Sequence, residues 1–218
     1  MLIKAKIKIK KLTVSAMIIA LAVLLVTVAR VPVVMFLKYE PKDVIITIGG
    51  FIYGPLTAAV ISLCTAFIEM ITISSEGFIG FIMNFLSSAA FAVPAAYIYS
   101  KKRTISGAVI GLLTGVVSVC SVMMLWNYLI TPLYMNVSRA DVAAMLPTVF
   151  FPFNLLKGTL NAAFSIIIYK PVVKTLRAAH LLDASRSEGK GRTASIIVTV
   201  CAILVVSACI VAIVFWRR

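Results

Sequence analysis

Three polar residues share one side of an otherwise apolar segment in the last third of the chain. Asn154, Lys157 and Asn161 have i, i+3, i+7 spacing within a run from Leu146 to Tyr169, and this spacing places side chains on one face of a helix. The run is long enough to cross a hydrocarbon core of roughly 30 Å, and Lys157 lies near its middle. An ammonium at that depth costs at least ~2.5 kcal/mol, so we expect it to face a polar cavity or a partner.

This polar face has two interpretations. Amide groups both donate and accept hydrogen bonds, and a lysine donates three, so the face could bind a polar ligand. Alternatively, the asparagines could hold neighbouring helices together, since such contacts contribute ~0.6 kcal/mol on average in membrane proteins. The asparagines alone fit both interpretations equally well, whereas the lysine among them favours a buried ligand site.

The composition predicts an all-α protein that crosses a membrane several times. Apolar side chains make up 62% of the 218 residues and the mean hydropathy is +1.10. Apolar runs of helical length recur along almost the whole chain, without the alternating pattern of outer-membrane strands. The formal charge of +14 comes from basic residues in short segments beside these runs. That placement indicates membrane topology rather than a nucleic-acid partner.

The sequence lacks the motifs of common enzymes and ATPases. It contains neither G-x₄-G-K-[ST] nor G-x-S-x-G nor H-E-x-x-H, and its four cysteines have no metal-binding spacing. The single histidine, His180, lies in a basic segment. We therefore predict no catalytic residue, no metal and no cofactor. Glu69 is a weak candidate for proton coupling; it could equally be interfacial or pair with a neighbouring helix.

The first predicted span covers Leu12 to Ala29 and follows five lysines. A cleaved signal peptide has a similar pattern, but this run is longer than a signal core and further spans follow directly. Ala16 and Ala20 lie one turn apart and would let another helix approach closely. Packing within the protein is the commoner reason for such a pair, so both interpretations remain open here.

The segment from Arg30 to Asp43 has an unusual composition for a connector. It contains two prolines, which end the first helix, and it mixes large apolar groups with charged ones. It is either a lid over a site or a solvated turn anchored at the interface by Tyr39. Glycines and a proline then divide the next apolar run into a short helix near 44–52 and a full-length helix near 55–73.

Two further spans follow, each with buried polar groups. The span from Phe78 to Tyr99 carries Asn84 and two serines on roughly one face. The span from Ile105 to Thr131 ends in an aromatic cluster around Asn127, and Pro132 should stop it. Its beginning offers a smooth packing ridge of three glycines, Gly107, Gly111 and Gly115.

Basic residues predict the orientation. Segments 4–11, 101–103 and 170–192 hold five, three and six Lys or Arg residues, against six on the opposite side, which favours a cytoplasmic N-terminus. The lid-like segment and the start of the Lys157 helix would then both be external. We predict a six-helix domain over 1–178, a basic cytoplasmic linker over 179–193, and an additional membrane helix over 194–218 with an external C-terminus.

Several blocks, taken together in order and spacing, resemble the riboflavin-binding S components of energy-coupling factor (ECF) transporters. The similarity covers about residues 10–178. The blocks are Phe-Leu-Lys-Tyr-Glu-Pro-Lys-Asp at 36–43, Ile-Gly-Gly-Phe-Ile-Tyr-Gly-Pro at 48–55, Met-Asn-Phe-Leu-Ser-Ser at 83–88, Trp-Asn-Tyr at 126–128 and Pro-Phe-Asn-Leu-Leu-Lys-Gly at 152–158.

This resemblance implies a six-helix bundle in a bacterial cell membrane that holds riboflavin near the external face, beneath the first loop. It implies partners as well: a transmembrane T component and two cytoplasmic ATPases, with Ala16 and Ala20 as the docking motif. Riboflavin would be a transported substrate rather than a cofactor. The implied flavin contacts are hydrogen bonds from Asn127, Asn154 and Lys157, with enclosure completed by Leu37, Lys38 and Asn84.

The residue chemistry agrees with a flavin, since a flat, largely apolar ring with polar edges needs apolar walls and a few placed polar groups. Asn161 joins the candidate ligand-binding residues through its position on the Lys157 face. Two alternatives remain: an S component for a different small vitamin, and a structural membrane protein without a ligand. The last predicted helix departs from the six-helix pattern of the family.

Overall fold

The computed structural model describes residues 2–35, 37–74, 76–178 and 192–216. The described chain is almost entirely helical, with one two-stranded sheet. The helices are α1 (Leu2–Val28), α2 (Lys42–Tyr53), α3 (Pro55–Thr72), α4 (Gly77–Lys101), α5 (Ile105–Met135), α6 (Arg139–Met145), α7 (Phe151–Ala178) and α8 (Arg192–Trp216), the strands are β1 (Val31–Val34) and β2 (Leu37–Tyr39), and a π-helical turn covers Leu146–Phe150.

Six helical stretches in the described part of the chain are long and apolar enough to cross a membrane. They comprise α1, α3, α4, α5, the continuous run from α6 to α7, and α8. The all-α, multi-pass prediction is therefore confirmed, and α8 is present as an additional helix. Of the predicted linker at 179–193, only the last two residues are described, and they begin α8.

Helix α2 has 12 residues, or about 18 Å at 1.5 Å per residue, which is too short to span. It runs antiparallel to α3, because Lys42 in its first turn bonds Glu69 in the last turn of α3. Gly54 joins the two helices with φ +93°, a conformation that glycine adopts without strain. The first turn of α2, with Lys42 and Asp43, is therefore buried inside the helix bundle.

Two glycines of the predicted packing ridge of α5, Gly111 and Gly115, pack directly on α4. A Cβ atom at Gly111 would lie 2.6 Å from the carbonyl oxygen of Ala95, and one at Gly115 would lie 2.6 Å from that of Phe91. Both distances are far below van der Waals contact with backbone atoms that cannot move aside. These two glycines thus allow α4 and α5 to approach closely in the core.

The segment predicted as a lid-like loop contains a β-hairpin that the sequence reading did not predict. Val31 pairs with Tyr39 and Val34 with Leu37 in antiparallel register, with an irregularity between Pro32 and Val34. Three valines in β1 favour extended backbone before the turn. Val33 and Tyr39 are the buried residues of the two strands.

The prediction that Pro132 ends its helix is wrong, because α5 continues to Met135 and ends where Asn136 adopts a left-handed conformation. Membrane helices tolerate an internal proline when neighbouring groups satisfy the freed backbone. Ser138 caps α6 by accepting a hydrogen bond from the backbone N–H of Asp141.

Candidate ligand-binding site

A buried carboxylate, Asp43, lies where α2, α4 and α7 meet. Its Oδ1 accepts a hydrogen bond of 2.5 Å from the hydroxyl of Ser88 on α4. Its Oδ2 accepts one of 3.1 Å from the Asn161 amide and lies 3.5 Å from the Lys157 ammonium. Asp43 is 1% exposed. One carboxylate thus connects three helices through donors from two of them.

Lys157 is 8% exposed, so its ammonium does not reach towards a lipid–water interface. Besides Asp43 it contacts the Ser87 hydroxyl on α4, at 3.2 Å. Both contacts are long for charge-assisted hydrogen bonds, which are typically about 2.7–2.9 Å. The ammonium therefore has a counter-charge but is held loosely, and one of its three N–H groups has no partner among the described residues.

The Asn161 amide links this centre to the hairpin. Its Oδ1 accepts a 3.0 Å hydrogen bond from the hydroxyl of Tyr39, the last residue of β2. Burial, followed by the negative charge of Asp43, raises the pKa of the Tyr39 phenol above its ordinary value. The phenol therefore stays protonated and acts as the donor in this contact.

A second charged cluster lies beside the first, beneath the hairpin. Glu40 pairs with Arg30 at 2.7 Å and with Lys42 at 3.0 Å, and Lys42 also pairs with Glu69 at 2.6 Å. Of the roles considered for Glu69 from the sequence, the structure therefore supports pairing with a neighbouring helix. Lys42 and Asp43 are adjacent in the chain, so the first turn of α2 joins the two clusters.

The cations around Glu40 keep its carboxylate ionised. Burial opposes ionisation of Glu40, but Lys42, followed by Lys157 and Arg30, outweighs it and holds the pKa of that carboxyl below its ordinary value. Burial likewise favours a neutral amine at Lys42, but Glu40, Glu69 and Asp43 together raise its pKa. The two clusters pair three cations with three carboxylates, so charge is balanced inside the bundle.

Asn127 and Asn154 are buried, but each bonds its own helix. The Asn127 amide donates to the carbonyl of Met123 at 2.7 Å and accepts from Thr131 at 3.0 Å. The Asn154 amide donates to the carbonyl of Phe150 at 2.8 Å. Neither side chain bonds another helix among the described contacts, which argues against a helix-joining role. Each keeps hydrogen-bonding capacity for a further partner.

The remaining predicted residues lie towards the edges of the site or away from it. Asn84 on α4 is half-buried. Leu37 is half-buried in β2, and Lys38 beside it is exposed. Ala16 and Ala20 are exposed on α1, on the side opposite the buried face formed by Val14, Ile18 and Ala22. The structure thus joins Lys157 and Asn161 at one centre and leaves the alanine pair on a free surface.

Sequence reasoning missed Asp43, Tyr39 and Lys42 as parts of the site, because it placed all three in a connecting segment. A usable signal was present: α2 is too short to span, so charged residues at its start must lie below the membrane surface. Ser87 and Ser88 were predicted on one face of their span with Asn84, and their hydroxyls now contact Lys157 and Asp43 respectively.

An apolar groove of about 790 Å³ lies between α7 and α8. It is distinct from the charged centre, because no member of either charged cluster lines it. Its lining residues are Thr148, Pro152, Leu155, Leu156, Thr159, Cys209 and Ala212. We do not assign a ligand to it.

Comparison with known proteins places the chain among transport components. Residues 10–173 match the model of the family described as ECF transporter, substrate-specific component. The riboflavin transporter FmnP of Bacillus subtilis (strain 168) is 29% identical over 188 residues, covering 80% of this chain and 99% of that protein. The riboflavin transporter RibU of Staphylococcus aureus (strain TCH60) is 27% identical over 148 residues, covering 65% and 78% respectively.

The fold is also similar to a solved structure, reported as "Structure and mechanism of the S component of a bacterial ECF transporter". The TM-score is 0.66 with 24% identity, and the alignment covers 78% of this chain and 99% of the other. These relatives are components of transporters, not enzymes. Because the family model matches well over half of the residues, and its match ends before α8, the chain belongs through its first seven helices to the substrate-specific components of ECF transporters.

Proposed function

We propose that this chain captures riboflavin at the external side of a bacterial cell membrane and delivers it to an ATP-driven importer. The observation that carries the proposal is the buried centre of Asp43, Lys157 and Asn161 beneath the hairpin. Its few polar groups lie buried among apolar helices, which suits a largely apolar ring with polar edges. The similarity to two riboflavin transporters favours a flavin among small vitamins.

The ammonium of Lys157 is suited to bond a ring carbonyl or a ribityl hydroxyl. Its contacts to Ser87 and Asp43, at 3.2 and 3.5 Å, are long enough for a ligand oxygen to compete with them. Asn127 and Asn154 have spare donor and acceptor capacity for the ring edge or the ribityl chain. In this proposal both asparagines contact the ligand directly, together with Asn161.

The hairpin and α4 supply the enclosure. Leu37 in β2 would cover the apolar ring, Lys38 beside it would face the entrance, and Asn84 on α4 would bond the polar end of the ligand. The bond between Tyr39 and Asn161 already fastens the hairpin over the centre. Entry from outside then requires the hairpin to move, and its return would exclude water.

The proposal includes partners and an orientation. The exposed alanines Ala16 and Ala20 form a surface without large side chains, to which a transmembrane T component can pack closely. Two cytoplasmic ATPases would supply the energy through that T component. The basic residues at 4–11 and 101–103 support a cytoplasmic N-terminus, which places the hairpin outside and the C-terminus of α8 outside as well.

Binding is tested by titrating the purified protein in detergent with riboflavin and following the quenching of flavin fluorescence. Saturable quenching at one site, with a flavin absorption spectrum in the purified protein, is the expected result. Calorimetric titrations with thiamine and biotin, which lack flavin fluorescence, serve as controls for selectivity. Binding of none of the three vitamins would favour a structural role, and binding of thiamine or biotin alone would favour the alternative S component.

Docking is tested separately by replacing Ala16 and Ala20 with tryptophan and measuring riboflavin uptake by cells. We expect uptake to fall while binding to the purified protein stays unchanged. Leu113→Trp on α5 is the matched control, since Leu113 is also exposed (59%) but lies on a different helix. Normal uptake by the double alanine variant would remove this surface from the proposal.

A further inference from the structure

Asp43 is not among the residues predicted to contact a ligand, yet it contacts two residues that are, Lys157 and Asn161. We infer that Asp43 is a positioning residue for ligand binding, which fixes the Lys157 ammonium and the Asn161 amide relative to each other. The inference rests on the proposed riboflavin site and deepens it. It follows from the different hydrogen-bond partners of the two carboxylate oxygens.

The two oxygens have different partners. Oδ1 takes the 2.5 Å bond from Ser88, which fixes the carboxylate against α4. Oδ2 faces α7 and bridges Asn161 at 3.1 Å and Lys157 at 3.5 Å. Lys157 and Asn161 are one helical turn apart, so a single oxygen can reach both side chains. No other carboxylate pairs with Lys157 among the described contacts.

The backbone around Asp43 explains why this oxygen is well placed. Asp43 lies in the first turn of α2, where the positive end of the helix dipole favours a carboxylate. The next residue back, Lys42, is held by Glu40 and Glu69 on the other side of the turn. Because Lys42 holds the backbone of this turn and Ser88 holds Oδ1, the carboxylate cannot follow the ammonium. The ammonium must therefore adjust its position to the carboxylate.

The test measures riboflavin affinity in wild type, Asp43→Asn, Lys157→Met and the double variant. The amide keeps the shape of the carboxylate but removes its charge, and we expect binding to weaken about tenfold or more. In the double variant the two losses should not multiply, because Asp43 acts through Lys157. The control is Asp141→Asn, which likewise removes a carboxylate from the first turn of a helix, α6, but belongs to neither charged cluster; its affinity should stay within about threefold of wild type.

The outcomes separate the two proposals. Wild-type protein that binds no riboflavin overturns the proposed function and this inference with it. Wild type that binds, with Asp43→Asn binding equally well, overturns the role of Asp43 alone, as do losses that multiply in the double variant. Should Asp43→Asn fail to fold, Ser88→Ala frees the carboxylate from α4; it should weaken binding about threefold or more, and unchanged affinity would again refute the inference.

A second, independent observation concerns α8, which lies beyond the residues matched by the family. It packs against both α7 and β1. Side chains from all three parts form one apolar cluster: Val33 and Tyr39 of the hairpin, Phe153, Leu156 and Leu160 of α7, and Val206, Cys209 and Ile213 of α8. Tyr39 also bonds Asn161, so the cluster that α8 packs against includes the residue that fastens the hairpin to the site.

We propose that α8 braces the hairpin over the site and thereby slows release of the ligand. Tyr39 takes part in both contacts. Its ring belongs to the apolar cluster that includes α8 side chains, and its hydroxyl bonds Asn161 in the polar centre. Any opening of the hairpin must therefore separate apolar surface from α8 as well as break the bond to Asn161. This role also rests on the proposed function.

The test compares riboflavin release rates, measured by dilution of loaded protein. Val206→Ala with Ile213→Ala trims the face towards the hairpin, and release should become about fivefold faster. The matched control, Leu204→Ala with Val211→Ala, trims side chains that are 65% and 55% exposed, and release should not change. Equal rates in both double variants would overturn the bracing role; the single Val206→Ala variant carries the same comparison if the double variant is unstable.

Discussion

Replacing Lys157 with methionine tests the central feature of the site. Methionine keeps an unbranched apolar stem of similar length, so the substitution removes the ammonium with little change in packing. A hydrogen bond to a charged group contributes about 1.5–3 kcal/mol, and each 1.4 kcal/mol is a factor of about ten. We therefore expect the dissociation constant for riboflavin to rise roughly 10- to 100-fold.

The effect on folding should be smaller than for a typical broken ion pair. Removing one partner of a buried pair costs about 3–5 kcal/mol when the other charge is left without compensation. Here Asp43 keeps the hydrogen bonds from Ser88 and Asn161, so its negative charge is still solvated by donors. The variant should fold, with a moderately lower melting temperature in detergent.

The assay is fluorescence titration of riboflavin, combined with thermal melting of the ligand-free protein. Lys101→Met is the matched control, because Lys101 is exposed at the end of α4 and lies in no part of the site. A Lys157→Met protein that melts cooperatively and binds riboflavin within about twofold of wild type would show that the ammonium does not contact the ligand.

Three further predictions concern helix packing at Gly115, the pH dependence of stability at Glu40, and ligand binding at Asn127. Gly115→Val should abolish folding or lower the melting temperature sharply, because its Cβ would lie 2.6 Å from the Phe91 carbonyl oxygen; an unchanged melt would refute the close packing. The pKa of Glu40 is lowered in the folded state despite burial, chiefly by Lys42, so its stabilising effect is present above the unfolded pKa and is lost as pH falls below about 4.5. Glu40→Gln should flatten that acid limb of melting temperature against pH, and an equally steep limb in the variant would contradict the assignment. Asn127→Ala loses only bonds to its own helix, so we expect near-normal stability with riboflavin binding weakened about fivefold; unchanged titrations would exclude it from the site.

Much of the architecture was readable from local sequence. The membrane-spanning helices follow from apolar runs of sufficient length, and the short α2 follows from the glycines that interrupt one run. Close packing of α5 was predictable from the spacing of Gly111 and Gly115, but its partner α4 was not. Burial of Lys157 was predictable as well, since an apolar segment of that length leaves its middle residue no short path to water. The ligand contacts of the site residues stay predictions.

Contacts between side chains that are far apart in the chain could not be predicted in this way. Asn161 and Asp43 are 118 positions apart in the chain, and their contact depends on how deeply α2 inserts between α4 and α7. The asparagines illustrate the same limit: spacing put Asn154 on the face of Lys157, but its amide bonds the backbone of its own helix. Strand pairing in the hairpin likewise depends on the surfaces of α7 and α8 that cover Val33 and Tyr39.

Residue types and run lengths identify the membrane segments and a positive charge buried among them, because transfer free energy depends on both. Helix packing was needed to show that Asp43 neutralises this charge, that Lys42 pairs with Glu40 and Glu69 instead, and that Tyr39 bonds the hairpin to the centre. Coulombic and hydrogen-bonding energies depend on distances of a few ångströms between groups far apart in the chain, and those distances are set by helix packing.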